Sequence, residues 1–372
     1  MNFDYNEEQQ LLAESVRRFL AKEYDFEKRR KVVASAEGWS AEVWAQLAEM
    51  GVTGIPFSTE YGGFGGSAVD LMGVMEAFGD ALLVEPYLPT VGLAGQLVAR
   101  GGTEAQKKAV LPRLVEGKLR LAFAHSEKGA RYNPAHVQTK AIRTGSGWQL
   151  SGEKCVVLGA PIADSLVVSA RTERGVSLFL LDRSAPGVAV SPFLTLDEMR
   201  AGEVRLAAAK AGPEALLGAE GEALALIEEA TDFATALVCS EAVGAMKFAC
   251  DTTLEYLKTR KQFGVPIGTF QALQHRMVDM VISYEQAKSM ACLAGSKADS
   301  AADARDRARS ISAAKIKIAD ACRHISQEAI QLHGGMGMSE ELKVSHTFRR
   351  LTMIAQQFGD ADHHLARFAR LD

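Results

Sequence analysis

Apolar residues recur at helical spacing near the start of the chain, at Leu11, Leu12, Val16, Phe19 and Leu20. Asn6 and Gln9 stand three apart just before this run, with Glu7 and Glu8 between them. That is the pattern of a capping box with acidic residues in the first turn. Ser40 heads a second helical run whose inner face is Val43, Trp44, Leu47 and Met50, closed by Gly51. A glycine-rich loop follows, Tyr61-Gly62-Gly63-Phe64-Gly65-Gly66, and the pattern predicts further helix from about Val69 to Glu116.

Near Leu121 the period changes. Short apolar runs appear, LAFA, then SLVVSA after Asp164, then VSLFLL from Val176. Turn residues separate them, as at Gly145-Ser146-Gly147 and Ala185-Pro186-Gly187. This predicts a small antiparallel β-domain ending near Gly212-Pro213. From about Glu220 the period is helical again. We expect one long helix from Glu222 to Lys258, a loop RKQFGVPIG, a second helix from near Thr269, a third from about Ala302 to Leu332, and a last one after GGMG. Long helices with short links favour an antiparallel bundle. The expected class is α+β, mainly α: an N-terminal helical domain (1–120), a central antiparallel β-domain (121–215) and a C-terminal four-helix bundle (216–372).

Composition adds exclusions. The 372 residues are 47% hydrophobic and 24% charged, ample for a large core. A net charge of −4 argues against nucleic acid or an anionic membrane surface as partner. No apolar run reads as long enough to span a bilayer, and MNFDYNEEQQ lacks a signal-peptide pattern. Cys155, Cys239, Cys250, Cys292 and Cys322 form no close pair and read as reduced, so a cytoplasmic location is expected. His333, His363 and His364 have no ligand-like spacing, so no metal is expected. The methionines read as core or interface filler, and no nucleophile-elbow motif is present.

Two segments carry chemistry. The first is Arg260-Lys261-Gln262-Phe263-Gly264-Val265-Pro266-Ile267 with Phe270, Gln271 and Gln274. A guanidinium grips phosphate oxygens in a planar fork, Phe263 offers a flat face, and Gln271 and Gln274 share a helical face. The alternative is a helix corner with a solvated Arg. The second is Gln331-Leu332-His333-Gly334-Gly335-Met336-Gly337. Its glycines let backbone N–H groups approach an anion or nucleotide, and the alternative is a helix C-cap. It follows a helix and not a strand, so it is not a Rossmann fingerprint.

Together, and in this order, these segments resemble the C-terminal signature of the acyl-CoA dehydrogenase family. The Glu60-Tyr61-Gly62-Gly63 loop and the mid-chain strands extend the resemblance over almost the whole chain. Within the family, EGWSAEVWAQLAEMG, LAFAHSEKGARY, LKTRKQFGVPIGTFQALQHR and RLTMIAQQFGDADHHL resemble in particular the small subunit of pimeloyl-CoA dehydrogenase. The resemblance implies FAD as cofactor, an acyl-CoA substrate, a tetramer and electron-transfer flavoprotein as acceptor. It implies that Arg260, Gln262, Phe263, Gln271, Gln331, Gly334 and Gly335 bind FAD, with Arg260–Phe263 and Gln331–Gly335 reaching a neighbouring subunit's FAD.

The chain also departs from the family. The usual catalytic Glu aligns with Phe358, which cannot accept a proton. The alternative family position for that Glu aligns with Ala234, and Glu241 lies about 10 Å further along a helix. Asp360 is the nearest carboxylate to the usual site. The family's flavin-bonding Thr aligns with Leu158, and Tyr132 replaces a small Ser. These departures leave three readings: a subunit that clamps the FAD of a different, large subunit; a self-sufficient flavoenzyme using Asp360 as base; or a non-enzymatic acyl-CoA- or protein-binding module.

Overall fold

The computed structural model describes residues 5–299 and 303–371. The chain divides into two compact units. One comprises Met1–Arg30, Ala68–Leu83 and Thr235–Asp372; the other comprises Lys31–Ser67 and Val84–Ala234.

The first unit is helical. α1 (Glu7–Glu23) starts at the expected capping box: Gln9 N donates to Asn6 Oδ1 at 2.8 Å and Asn6 N to Gln9 Oε1 at 2.9 Å. α1 buries Ala13, Val16 and Leu20, whereas Leu11 is exposed. A helix not foreseen in the sequence, α2 (Phe26–Ala34), comes next. In the other unit, α3 (Ala41–Glu49) starts at Ser40 as expected, with Val43, Trp44 and Leu47 buried. α1 packs on α4 (Ala68–Ala81), where Tyr5 Oη donates to Glu76 Oε1 at 2.6 Å and Gln9 Nε2 to Asp70 Oδ1 at 2.9 Å.

α5 (Gly95–Gly101) and α6 (Glu104–Val115) belong to the other unit, and α7 spans Ala223–Thr259. α4 crosses α7 at backbone distance. A Cβ on Gly79 would lie 1.9 Å from Glu241 O, and one on Gly244 would lie 1.8 Å from Glu76 O, so neither position admits a side chain. α7 corrects one expectation, because by length and composition it is apolar enough to cross a membrane. Its apolar stretch is 89% buried within the protein, as a core helix is.

α8 (Gln271–Ala298), α9 (Ala304–His333), α10 (Lys343–Gln356) and α11 (Ala361–Arg370) complete the unit, with α9 packed against the other three. The expected α9 start at Ala302 lies outside the described residues. The expected single last helix is two, α10 and α11. The break falls where Phe358 and Gly359 take φ of 61° and 122°, which no α-helix continues through.

Inside this unit Arg350 donates to both carboxylate oxygens of Glu241, at 2.6 and 2.7 Å, with both residues buried. Glu241 is therefore committed to an ion pair, which removes it as a base. Removing one partner of a buried pair strands the other charge. Arg350→Met is expected to destabilise the protein by about 3–5 kcal/mol in urea unfolding, with Glu241→Gln in the same chain recovering most of it.

The second unit carries an eight-stranded sheet. Its strands are β1 (Leu121–Ala124), β2 (Lys140–Thr144), β3 (Gly147–Leu158), β4 (Ser165–Thr172), β5 (Gly175–Asp182), β6 (Val188–Leu194), β7 (Arg200–Ala211) and β8 (Leu216–Leu217). The order is β6-β7-β3-β2-β4-β5-β8, with β1 beside β4. The antiparallel expectation needs correction, because β1 pairs with β4 in parallel, Leu121 against Ser165, and β2 touches β4 in parallel at Lys140 and Arg171. About forty residues, including the β2–β3 hairpin, separate β1 from β4, and that length permits a parallel return. Trp148, Leu150, Leu166, Val168, Phe179 and Val204 fill the core on one face.

Candidate functional site

α7 ends at Thr259 and α9 at His333. The rings of Tyr256 and His333 stack, with centroids 4.4 Å apart and planes 27° apart, so these two helix ends are neighbours. His333 Nδ1 bonds Ala329 O at 2.8 Å, and burial holds its pKa below the usual value. The contact brings together the two segments that the sequence singled out: Arg260 lies one turn beyond Tyr256, and Gly334 directly follows His333.

Past Arg260 the chain forms a hairpin, β9 (Lys261–Gln262) with β10 (Val265–Pro266). Its two-residue loop, Phe263 and Gly264, has φ of 55° and 82°, the primed turn that suits strand twist. A bulky residue at positive φ is strained, and Phe263 is also 89% exposed. Folding of this chain alone gives no reason for either. Gly334 has φ 61° and ψ −143°, a region open essentially to glycine. A Cβ on Gly334 or Gly335 would meet nothing within 4 Å, so this backbone is open to close approach. Arg260, Gln262, Gln271 and Gln331 are exposed alongside. Gln274 instead donates to Gly268 O at 2.9 Å, holding the loop before α8. A cation, a flat ring and an accessible glycine backbone thus lie on the two segments that the Tyr256–His333 stack joins.

The turn Gln357–Asp360 is held from beneath. Lys315, from the middle of α9, is fully buried and donates to Ile354 O (2.9 Å), Ala355 O (3.1 Å) and Gly359 O (2.8 Å). Burial lowers its pKa. His364 bonds Phe358 O at 3.2 Å and Ser312 Oγ at 3.3 Å; burial, then the Lys315 charge, push its pKa down to about 3. Asp360 Oδ1 accepts from His363 N at 2.8 Å and caps α11. His364 is thus structural, and Asp360 carries a capping role.

In the β-containing unit, Cys155 N donates to Ser126 O at 2.8 Å, so the Ser126-Glu127-Lys128 loop lies against the end of β3. The β3–β7 register slips between Lys154 and Val157, and Val156 has φ 51° and is 52% exposed. This bulge re-aims the Val156–Leu158 segment. Beneath it Glu127 is buried. Lys154 Nζ (2.7 Å), Thr139 Oγ1 (2.7 Å), Thr139 N (3.0 Å) and Gln138 N (2.6 Å) all donate to its carboxylate. Burial alone would raise the Glu127 pKa, but these bonds outweigh it and hold it at about 2. Burial lowers Lys154 to about 8 against the pull of Glu127.

Lys154 also donates to His125 O (3.2 Å) and Ser169 Oγ (2.9 Å), and Ser169 Oγ lies 2.9 Å from His125 Nδ1. Reading the sequence missed His125, Lys154 and Lys315. The only local signal for His125 is its alternation with Phe123 in LAFAHSE.

The helical unit thus carries an open glycine backbone and an exposed Arg–Phe hairpin at neighbouring helix ends. The N-terminal, middle and C-terminal domain profiles of acyl-CoA dehydrogenases match residues 6–118, 122–208 and 223–370. Acyl-CoA dehydrogenase FadE12 of Mycobacterium tuberculosis is 32% identical over 370 residues, covering 95% of this chain and 93% of the relative. Among solved structures, PigA with FAD and proline superposes with a TM-score of 0.92 at 28% identity, covering 100% and 98% of the two chains. The ChsE4–ChsE5 complex from M. tuberculosis superposes at 0.90 and 26%, again covering 100% and 98%. The chain belongs to the acyl-CoA dehydrogenase family, a family of FAD-dependent oxidoreductases.

Glu127 has a folded pKa below its unfolded one. Its contribution is therefore fully present above the unfolded value near 4.5 and is lost as pH falls through about 2. Glu127→Gln is expected to cost roughly 2–3 kcal/mol at pH 6. That gap should narrow steadily below pH 4.5 when both proteins are unfolded in urea across the range.

Proposed function

We propose that this chain is the FAD-clamping subunit of a hetero-oligomeric acyl-CoA dehydrogenase, paired with a different subunit that performs the chemistry. The observation that carries this is Phe358. It stands where the family places its base, in a turn whose scaffold of Lys315, His364 and Asp360 is intact. The reaction needs a carboxylate to take a proton from Cα of the thioester and donors to polarise its carbonyl. FAD, when bound, supplies the acceptor for the Cβ hydride. A phenyl ring offers no proton acceptor, and the Leu158 side chain offers the flavin no hydrogen bond.

The outward set is kept. Arg260 can grip a pyrophosphate, Phe263 can lie against a flat ring, and Gln331–Gly335 can follow an adenosine with open backbone. Gln262 and Gln271 stand beside them. These groups suit a ligand brought by a neighbour, which also accounts for the strained and exposed Phe263. The matching chain of ChsE4–ChsE5 comes from a complex, and assembly with a different subunit is proposed here. The resemblance to the small subunit of pimeloyl-CoA dehydrogenase makes a dicarboxylyl-CoA the first substrate to assay, with electron-transfer flavoprotein as acceptor. A tetramer in the cytoplasm, where the five free cysteines stay thiols, completes the reading.

The chain expressed alone is expected to oxidise no acyl-CoA. Co-expressed with its large subunit, it should yield an active complex whose FAD content falls several-fold with Arg260→Ala. Asp360→Asn should leave the activity of the complex within about twofold. A lone chain carrying stoichiometric FAD and oxidising acyl-CoA, or a collapse of activity in Asp360→Asn, would show a self-sufficient enzyme instead. A colourless complex that FAD cannot reconstitute would favour the binding module.

A further inference from the structure

The geometry points to Lys343 as a covalent modification site: its side-chain amine takes the acyl group of an acyl-CoA thioester and carries it as an amide. Among the described residues, burial holds three lysines below the usual lysine pKa: Lys154, Lys315 and Lys343. Lys154 and Lys315 are sealed, and each spends all three N–H groups on protein oxygens. Lys343 differs on both counts. Its side chain keeps 20% of its surface open to solvent. Its nitrogen meets Asp80 Oδ1 at 3.4 Å and the face of Phe248, whose centroid lies 3.9 Å away.

Position in the chain adds to this. Lys343 is the first residue of α10, at the positive end of the helix dipole, and no acidic residue in the first turn offsets it. A cation is disfavoured there and a neutral amine is not. The charged groups facing the amine are Asp80 of α4 and Arg29 of α2. Burial lowers its pKa, Asp80 pulls against this, and the Arg29 charge adds to it. Desolvation beside a second cation is a standard way to activate a lysine amine. The carboxylate and the ring face both accept N–H groups. In the neutral amine neither engages the nitrogen lone pair, which is left for an electrophile.

The lone pair attacks the thioester carbonyl carbon. The C–N bond forms, the C–S bond breaks, and the electron pair leaves with the CoA sulfur. The amine gives up one proton, which ends on that sulfur. Acyl-CoA and lysine thus become acyl-lysine and free CoA, with no change of oxidation state. The choice of acyl-CoA as donor rests on the substrate in the reading above; the reactivity of the amine does not. The product amide is uncharged, so the Asp80 pair and the cation–ring contact are both lost where α4, α7 and α10 meet. The modification therefore falls on the first turn of the helix that leads into the Phe358 turn.

The test incubates the full chain with acetyl-CoA at pH 7.5 and follows acetylation of each lysine over time by peptide mass spectrometry. Lys343 should acetylate several-fold faster than the exposed Lys108 and Lys118. As pH is raised from 6 to 10, its rate should level off at a lower pH than theirs. Lys154 and Lys315 should stay unmodified until the chain is unfolded in urea. S-acetyl-N-acetylcysteamine, the same thioester without the nucleotide, should give the same order. Asp80→Asn removes the charge that favours the cation, and should speed Lys343 further at pH 7.5 while leaving Lys108 unchanged. Lys343 no faster than Lys108, labelling of Lys343 by the truncated thioester alone, labelling of Lys154 and Lys315 alongside it in the folded chain, or a slower Lys343 in Asp80→Asn would each overturn the proposal. The readout needs neither a partner subunit nor FAD. Failure of the clamp reading shows instead at Arg260 in the co-expressed complex, which these experiments leave intact.

Discussion

The Lys315 ammonium, sealed in the helical unit with three backbone carbonyls as its partners, fixes the path of the chain at its C-terminal end. An unpaired charge there would cost several kcal/mol. No carboxylate neutralises it by contact among the described residues. Its stabilisation comes from Ile354 and Ala355, carbonyls of the last turn of α10, which carry the negative end of a helix dipole. Adding Gly359 O fixes where the chain turns. Phe358 is then carried at φ 61°, His364 reaches back to its carbonyl, and Asp360 is delivered to cap α11. The turn is thus set by backbone groups and a buried cation, with no contribution required from the Phe358 side chain. A residue there can be exchanged without dismantling the turn, so chemistry can be lost while the architecture stays.

Two phenylalanines sit in the left-handed region, and the strain has a different account at each. At Phe358 the surrounding bonds over-determine the backbone, so a cost of about 1–3 kcal/mol is absorbed locally. At Phe263 only the hairpin ladder of two short strands and an edge-on contact with Phe270 at 6.1 Å hold the loop. Strain with so little local support, on a side chain so exposed, is stable when a further contact lowers its free energy. The Tyr256–His333 stack joins the helix that runs into this hairpin to the one that ends at the open glycine backbone.

Local rules were enough where a signal is local. Asn6 with Gln9, Ser40 with its apolar face, and the runs LAFA, SLVVSA and VSLFLL all declared their elements in the sequence. β3 and β7 did not, because GWQLSGEKCVVL and RAGEVRLAAAKA mix charge, glycine and alanine and are set by pairing with each other, with register slips on the way. α2 has a weak amphipathic pattern and escaped notice for the same kind of reason. The two candidate segments were legible as chemistry, but their neighbourhood depends on a ring stack between residues 77 positions apart. Lys315, Lys154 and the Glu241–Arg350 pair were unreadable: a charged residue on a helix or strand looks solvated until its partners, dozens to a hundred residues away, are known.

The two units depart from the family to different degrees. In the helical unit the proposed reading rests on Phe358, and the two carboxylates weighed as a base are otherwise engaged: Glu241 is bound to Arg350, and Asp360 caps a helix. In the sheet-bearing unit the side-chain donor expected at Leu158 is gone, yet the bulge that presents this segment persists, braced by Cys155 N on Ser126 O and by Glu127 on Lys154. The same ammonium that balances Glu127 also donates to Ser169 Oγ, which lies against His125 Nδ1, so the loop and two strands share a single set of bonds. Losing Lys154 would therefore unseat the loop and loosen the His125 ring together, which ties a half-buried His to a fully buried charge in the same unit.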